Sequence, residues 1–215
     1  MRNTTGCTLL FVAVLCSGQA SISAPASSTA TYHSDAMNLD FRYPATFVNK
    51  AADDPSPGSK ADNEATGKSC LSLPITAMDM RKSFNMIFLR RSDGACLGKE
   101  ITASERGITV SGFLNYLLKE FGKPEMNSST DYDIAGHKAS AVSGAVKPEG
   151  VKPAGTVIYG SGSCLAVGKD LACFAFLSSD CKALVALSAS SVKFTDSAEM
   201  PVIPATLPPA CKSGI

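Results

Sequence analysis

The chain has 215 residues, of which 45% are hydrophobic and 18% are charged, and its 20 basic and 19 acidic side chains nearly cancel. This length fits one domain that can hold its own hydrophobic core. The balanced charge provides no basic stripe for a phosphate backbone, so we expect no nucleic-acid partner.

Residues 1–20 have the three parts of a secretory signal. A positive start at Arg2 precedes an apolar run from Leu9 to Leu15, and small residues follow up to Ala20. Gly18 and Ala20 suit cleavage after Ala20. The apolar run is too short to span a bilayer and no second long one follows, so we expect no membrane span once the signal is removed.

Two alternatives exist for this leader. Cleavage after Ala24 would place Pro25 beside the cut, which disfavours it. Cys16 is compatible with a lipid anchor, but the preceding Leu15 is too large for that cleavage site. We therefore predict a secreted or periplasmic protein, with 19 basic and 19 acidic side chains left after the leader, which holds one basic residue and no acidic one.

The cysteines indicate disulfide bonds. Two of the eight lie in the predicted leader, and an even number remains, as is typical of an exported, oxidised chain. Six cysteines allow 15 connectivities. They are Cys70, Cys96, Cys164, Cys173, Cys181 and Cys211.

The first ordered elements are predicted to be strands. Residues 21–29 are small and read as a disordered lead. A first strand at 31–34 is followed by an alternation of apolar residues from Met37 to Tyr43, which Pro44 ends. Residues 51–69 are polar and rich in Pro, Gly and Asp, so we expect a mobile loop.

Two further strands follow this loop. Apolar residues alternate with a polar one from Leu71 to Ile75, which predicts a strand that ends near Pro74. Residues Phe84 to Leu89 are nearly all apolar, which is typical of a central strand covered on both faces. Residues 90–94 supply a turn, and the basic side chains there are interpreted as solvated charge. Cys70 and Cys96 flank the two strands and are expected to form a disulfide.

The main helix is predicted over Thr109 to Gly122, capped by Thr109 or Ser111 and ended by Gly122. Its apolar stripe contains Phe113, Leu114, Leu117, Leu118 and Phe121. A turn at 135–136 and a strand of small residues at 137–146 come next. Small side chains there would let the helix approach the sheet closely.

Residues 156–177 predict a long hairpin with Gly168-Lys169 as its two-residue loop. Counting outward places Cys164 opposite Cys173 in a non-hydrogen-bonded pair, which predicts a disulfide. That bridge would add about 2.7 kcal/mol in the chain-entropy account. The segment Gly160-Ser161-Gly162 is interpreted as a bulge or a close-packing site, because Leu165 stands where a dinucleotide fingerprint needs its third Gly.

A short helix is predicted around Lys182 to Ser190 after the capping residues at 178–180, with a short strand at 192–194. The tail, residues 201–215, is rich in Pro, and we expect no regular structure there. Cys211 could tie the tail to Cys181.

This order of elements predicts an α+β domain over residues 30–200, with an antiparallel sheet covered by one long and one short helix and braced by disulfides. It resembles the PsbP-like group, which includes an extrinsic photosystem protein and a Ran-binding nuclear transport factor. The resemblance rests on LDFRYPATF at 39–47, DIAGHKA at 133–139 and residues 172–194. It implies a fold and an accessory or binding role, and it implies no site residues.

Catalytic motifs are absent from the sequence: there is no G-x-S-x-G, H-E-x-x-H, C-x-x-C or Walker loop. With two histidines in the chain, a His-rich metal site is excluded, and we expect no metal or other cofactor. Asp131, Asp133 and His137 form a polar cluster that we interpret as a hairpin corner in preference to an acid–base site. Asn127 begins an N-glycosylation sequon, which has meaning in a eukaryotic host.

Three functions follow from this sequence. The first is an exported, non-enzymatic domain that binds a protein or envelope component of unknown identity. The second is a binder of small apolar ligands between the main helix and the sheet, near Phe88, Phe113 and Leu117. The third and least favoured is a hydrolase that uses His137 with Asp131 or Asp133.

Overall fold

The structure, a computed structural model, describes residues 29–35, 38–49, 71–81, 83–94, 101–134, 136–150, 155–190, 192–194 and 207–212. The predicted leader, most of the predicted lead, the predicted mobile loop 51–69, Cys70 and Cys96 lie outside these residues. The described helices are α1 (Ala103–Lys119), α2 (Cys181–Ser190) and α3 (Pro209–Lys212). None of them combines the length and the apolarity needed to cross a membrane.

The described strands form two antiparallel sheets. Their bounds are β1 (Thr29–Ser34), β2 (Leu39–Pro44), β3 (Val48–Asn49), β4 (Leu71–Asp79), β5 (Asn85–Ser92), β6 (Glu125–Met126), β7 (Thr130–Ile134), β8 (His137–Val146), β9 (Ile158–Val167), β10 (Asp170–Ser178) and β11 (Val192–Phe194). The larger sheet has the order β3-β4-β5-β10-β9-β8-β6, with β7 also paired to β8, and the smaller has the order β1-β2-β11. The predicted α+β class is confirmed.

The two faces of the larger sheet support two separate hydrophobic clusters. On one face, Val110 and Leu114 of α1 pack against strand residues that include Val142, Cys173 and Leu177. On the other face, the smaller sheet and α2 cover strand residues; this cluster includes Leu39, Phe41, Leu165, Phe174, Phe176 and Leu184. The larger sheet is therefore the middle layer of three, which explains why β5, β9 and β10 are buried on both sides.

The predicted hairpin is present with its predicted register. Asp170 pairs with Val167 and Cys173 with Cys164, so Gly168 and Lys169 form the loop. Gly168 has φ +60°, the positive value that a type II′ turn requires at its first central position. The Cα atoms of Cys164 and Cys173 are 4.0 Å apart and the predicted disulfide is formed.

Small residues let α1 approach the sheet, as predicted. A Cβ atom added at Gly160 would lie 2.9 Å from Cδ1 of Leu114 and 3.0 Å from Cδ2 of Leu177. One added at Gly144 would lie 3.1 Å from Cδ1 of Leu118. Pairing of β9 with both neighbours is continuous through Gly160 and Gly162, so these glycines are a close-packing site and not a bulge.

The predicted start of the main helix was wrong. The helix begins at Ala103, six residues before Thr109, with Thr102 as its N-cap and a capping box between Thr102 and Glu105. The first turns of the helix carry polar residues, so a search for an apolar stripe does not detect them. Arg106 is nevertheless buried there and donates from Nη1 to the Ile101 carbonyl at 3.1 Å. The helix ends at Lys119, and Gly122 follows with φ +142°.

Three smaller predictions also need correction. Strand β4 continues through Pro74 to Asp79, because the register shift between Ser72 and Ile75 removes Pro74 from the ladder. The basic pair at 90–91 belongs to β5, where Arg91 forms an ion pair with Asp170. The tail contains a short helix, with Pro209 at its first position, where a missing N–H costs nothing.

Helix α2 and strand β11 follow the prediction. Helix α2 begins at Cys181, and Oδ1 of Asp180 accepts a hydrogen bond from the Lys182 N–H at 2.8 Å, as N-cap chemistry predicts. Leu184 and Leu187 are buried on its inner side. Strand β11 pairs with β2 and closes the smaller sheet.

Candidate functional site

The structure does not bring the predicted polar cluster together. In the β7–β8 hairpin, Asp131 lies opposite Ser140, Asp133 opposite Lys138, and His137 opposite Ile134. Because opposite residues share a face and successive residues alternate, both carboxylates lie on one face and His137 on the other. The carboxylates are also engaged, since Asp131 accepts from the Ser140 hydroxyl and Asp133 forms an ion pair with Lys138.

The predicted apolar ligand gap consists of packed side chains. Phe88, Phe113 and Leu117 are 7%, 6% and 9% exposed and belong to the cluster between α1 and the sheet. The guanidinium carbon of Arg90 lies 5.8 Å from the centre of the Phe113 ring. These three residues line neither of the two cavities described below.

Two predicted disulfides are formed. Besides Cys164–Cys173, Cys181 bonds to Cys211 with a Cα–Cα distance of 5.3 Å, which ties α3 to the start of α2. The predicted Cys70–Cys96 bridge falls outside the described residues. Disulfides of this kind are typical of an oxidising compartment.

The sequon at Asn127 is part of the sheet edge. The Asn127 side-chain nitrogen donates to Oγ of Ser143 at 2.7 Å, and the Asn127 backbone N–H donates to the Ser143 carbonyl at 2.9 Å. The amide that a glycan would occupy therefore already makes a structural hydrogen bond.

The Tyr132 hydroxyl is a second polar group that forms a hydrogen bond within the fold. It donates to Oγ of Ser163 at 2.9 Å across β8. Burial raises the pKa of Tyr132 to about 12, and the hydrogen bond to Ser163 opposes this rise in part.

A cavity of about 620 Å³ runs along the outer side of α1. It is lined largely by small residues, among them Gly107, where an added Cβ atom would lie 2.8 Å from Oγ of Ser129. These small residues let the connection between β6 and β7 approach the helix. The charged residue in its lining, Asp131, is already bonded to Ser140.

A second cavity, of about 390 Å³, lies at the end of the larger sheet and has a different character. Its lining contains four charged side chains, Lys123, Glu125, Lys147 and Glu149, together with apolar residues. We call it the Lys-Pro-Glu cleft, because two copies of that tripeptide, residues 123–125 and 147–149, supply these charges.

Strand pairing positions one row of residues in the Lys-Pro-Glu cleft. Ala145 of β8 pairs with Glu125 of β6 on one side and with Tyr159 of β9 on the other. Lys123, Lys147 and Val157 lie two residues beyond this row along their segments, outside the paired residues, and all six line the cleft.

The tail contributes one residue to this cleft. Ala210 of α3 is part of the lining, and Cys211, next to it, is fully buried in the disulfide to Cys181. Part of the lining thus belongs to a segment that the disulfide holds in place.

The charges of the cleft differ from most other charges in the described part of the chain. Arg81 bonds Asp79 at 2.7 Å and holds the pKa of that carboxyl well below its usual range, and Arg91 bonds Asp170 at 2.7 Å. In contrast, no hydrogen-bond or ion-pair partner among the described residues satisfies the four charged side chains of the cleft.

Sequence reasoning missed this site, although a signal was present. Lys-Pro-Glu occurs twice in the sequence, once after the main helix and once after the strand of small residues. Two loops 24 residues apart meet only because β6 pairs with the end of β8, and a two-residue strand has no recognisable pattern.

No family model and no curated protein matches the chain. Among solved structures, it is similar to the solution structure of cyanobacterial PsbP (CyanoP) from Synechocystis sp. PCC 6803. The TM-score is 0.47 at 15% identity, over 80% of this chain and 95% of that chain. At this level the likeness to the PsbP-like group concerns the fold at most, and it transfers neither activity nor site residues.

Proposed function

We propose that this chain is an exported, non-enzymatic binding or accessory domain that holds its partner in the Lys-Pro-Glu cleft. The observation that carries the proposal is the group of charges around this cavity that have no partner among the described residues. Such side chains are available for a partner from outside.

The composition of the cleft supports binding. Ala145, Val157 and Tyr159 provide an apolar and aromatic surface beside the lysines and glutamates. Ligand sites typically combine apolar surface with a small number of polar or charged groups. A volume of about 390 Å³ lies in the range of small-molecule sites and also accommodates a few side chains of a partner segment.

The alternative functions receive less support from the geometry. An apolar binder between α1 and the sheet would need Phe88, Phe113 and Leu117 to separate from a filled core. A hydrolase would need His137 and a carboxylate to meet, whereas they lie on opposite faces of the β7–β8 hairpin. Both stay predictions from the sequence.

Site-directed photo-crosslinking tests the proposal. A photoreactive residue in place of Glu149, at the cleft, is compared with one in place of Lys182, an exposed position on α2. In the native host we expect a discrete adduct from position 149 and none of the same mass from position 182. The same adducts from both positions, or none from position 149, would contradict binding at the cleft.

A further inference from the structure

We propose that Lys123 and Lys147 together hold an oxyanion, a carboxylate or a phosphate, carried by the ligand of the Lys-Pro-Glu cleft. This inference rests on the proposed function, since it names the chemical class that the cleft recognises. It is argued from strand register, charge and the lining of the cavity.

Two like charges share one cavity. Lys123 comes two residues before Glu125, and Lys147 comes two residues after Ala145, the partner of Glu125 across β6 and β8; both lysines line the Lys-Pro-Glu cleft. Like charges that share a site repel each other. An anion between the two ammonium groups would remove this repulsion.

The lysines form no ion pair among the described residues, although two glutamates line the same cleft. The ionisable groups that line the cleft with them are Glu125, Glu149 and Tyr159. Neither glutamate forms an ion pair with either lysine, and no described residue hydrogen-bonds their ammonium groups. Each lysine thus retains donors for a ligand.

The donors of the cleft match the proposed ligand class. A lysine ammonium has three N–H donors, and a tyrosine hydroxyl can donate as well, so Lys123, Lys147 and Tyr159 can supply an oxyanion with several hydrogen bonds. Val157 and Ala145 line the same cleft and offer an apolar surface to the carbon body that bears the anion. Glu125 and Glu149 disfavour a ligand of high negative charge and so favour a single anionic group.

The test uses the isotopically labelled mature chain with its disulfides intact. Sodium phosphate and sodium acetate are titrated separately at constant ionic strength. A third titration uses a short peptide in two forms, one with a free C-terminal carboxylate and one with an amidated C-terminus. The amide signals of Ala145, Lys147 and Val157 report on the cleft. We expect saturable shifts with at least one oxyanion and none with chloride alone.

Two double variants with the same change in charge identify the site. Lys123→Gln/Lys147→Gln removes the proposed anion holders, whereas Lys169→Gln/Lys182→Gln removes two exposed lysines outside the cleft. We expect binding to be about tenfold or more weaker in the first variant and unchanged in the second. Equal weakening in both variants, or shifts that never saturate, would overturn the inference.

Thermal unfolding provides a second readout that does not depend on assigned spectra. A bound oxyanion should raise the melting temperature of the wild type above its value in sodium chloride of equal ionic strength. The cleft variant should lose this increment and still fold, since both substituted lysines are exposed. An increment that persists in the cleft variant places the anion elsewhere.

The two proposals can fail separately. Adducts from position 149 without saturable oxyanion binding would support a partner at the cleft and contradict the proposed oxyanion. Saturable oxyanion binding without adducts would keep the anion site and contradict a macromolecular partner at the cleft.

Discussion

Glycine residues at the interface between α1 and the larger sheet set how closely these layers approach. Cδ1 of Leu118 would lie 3.1 Å from a Cβ atom added at Gly144, and Cδ1 of Leu114 would lie 2.9 Å from one added at Gly160. These two positions need the absence of a side chain, whereas a Cβ atom at Gly162 would make an ordinary contact at 3.4 Å with Val110. Neither Gly144 nor Gly160 has a positive φ. The requirement is therefore one of volume, not of backbone conformation.

Gly160→Ala should lower the free energy of unfolding by about 1 to 3 kcal/mol, because the new methyl group would overlap Leu114 and Leu177. Gly112→Ala is the matched control, since an added Cβ atom there meets nothing within 4 Å and lies inside a helix. The control should stabilise by up to about 1 kcal/mol. Urea unfolding measures both changes, and a neutral Gly160→Ala would contradict the packing argument.

His33 links two carboxylates in the smaller sheet. Its Nδ1 lies 2.7 Å from Oδ1 of Asp40, directly across the β1–β2 pair, and its Nε2 lies 2.9 Å from Oδ1 of Asp35. Both ring nitrogens donate only in the imidazolium form. Hydrogen bonds to Asp40 first, and to Asp35, raise the pKa of His33 above its ordinary value of 6.5.

The raised pKa predicts the direction of a pH effect on stability. The folded chain keeps the His33 proton at a pH where the unfolded chain releases it, so the contribution is complete below pH 6.5 and is lost as the pH rises through the folded-state pKa. Unfolding free energies of wild type and His33→Gln should differ more at about pH 5.5 than at about pH 8.5. A difference that is independent of pH, or an NMR titration that places the His33 pKa below 6.5, would contradict the bridge.

At the scale of elements, a capping box marks the start of α1, whereas the apolar period does not indicate it. Oγ1 of Thr102 accepts from the Glu105 N–H at 3.3 Å, and the Glu105 carboxylate accepts from the Thr102 N–H at 2.9 Å. These reciprocal bonds satisfy N–H groups that a helix leaves open at its first turn. The first turns carry Ser, Glu, Arg and Gly, so the signal for the helix start is this cap and not an apolar stripe.

Thr102→Ala should cost about 1 kcal/mol of unfolding free energy through loss of the N-cap. Ser104→Ala, two residues later and exposed within α1, is the control and should be nearly neutral or slightly stabilising. Denaturant titration compares the two variants with the wild type. Equal effects from both substitutions would show that the cap contributes little here.

At the scale of the molecule, the two described disulfides act over different lengths of chain. Cys164–Cys173 spans 9 residues within one hairpin, whereas Cys181–Cys211 spans 30 residues and joins the tail to α2. The Cys164–Cys173 bond stabilises a strand register that the pairing of β9 with β10 already specifies. The second holds Ala210 at the Lys-Pro-Glu cleft, so it links stability to the proposed site.

Cys181→Ala/Cys211→Ala should lower the unfolding free energy by about 3 to 4 kcal/mol in the chain-entropy account, and Cys164→Ala/Cys173→Ala by about 2.5 to 3 kcal/mol. Chemical unfolding of the two double variants measures the order of the losses. The reverse order would show that the loop length does not set the stabilisation and that packing around the buried Cys164 and Cys173 dominates.

The residue pattern by itself determined the features that depend on neighbours in the sequence. A two-residue loop beginning with Gly168 fixed the hairpin register and hence the Cys164–Cys173 pair, and the alternation around Leu39 and Phe41 identified a half-buried strand. These predictions succeeded because turn geometry and the period of two act over a few residues.

Only the tertiary structure decided which distant segments meet. It placed His137 and the carboxylates of Asp131 and Asp133 on opposite faces, and it divided the strands between two sheets. It also brought residues 123–125 and 147–149 together beside the tail. Charged loop residues carry no periodicity that would reveal such a meeting, because the pairing of strands elsewhere in the chain determines where the loops lie.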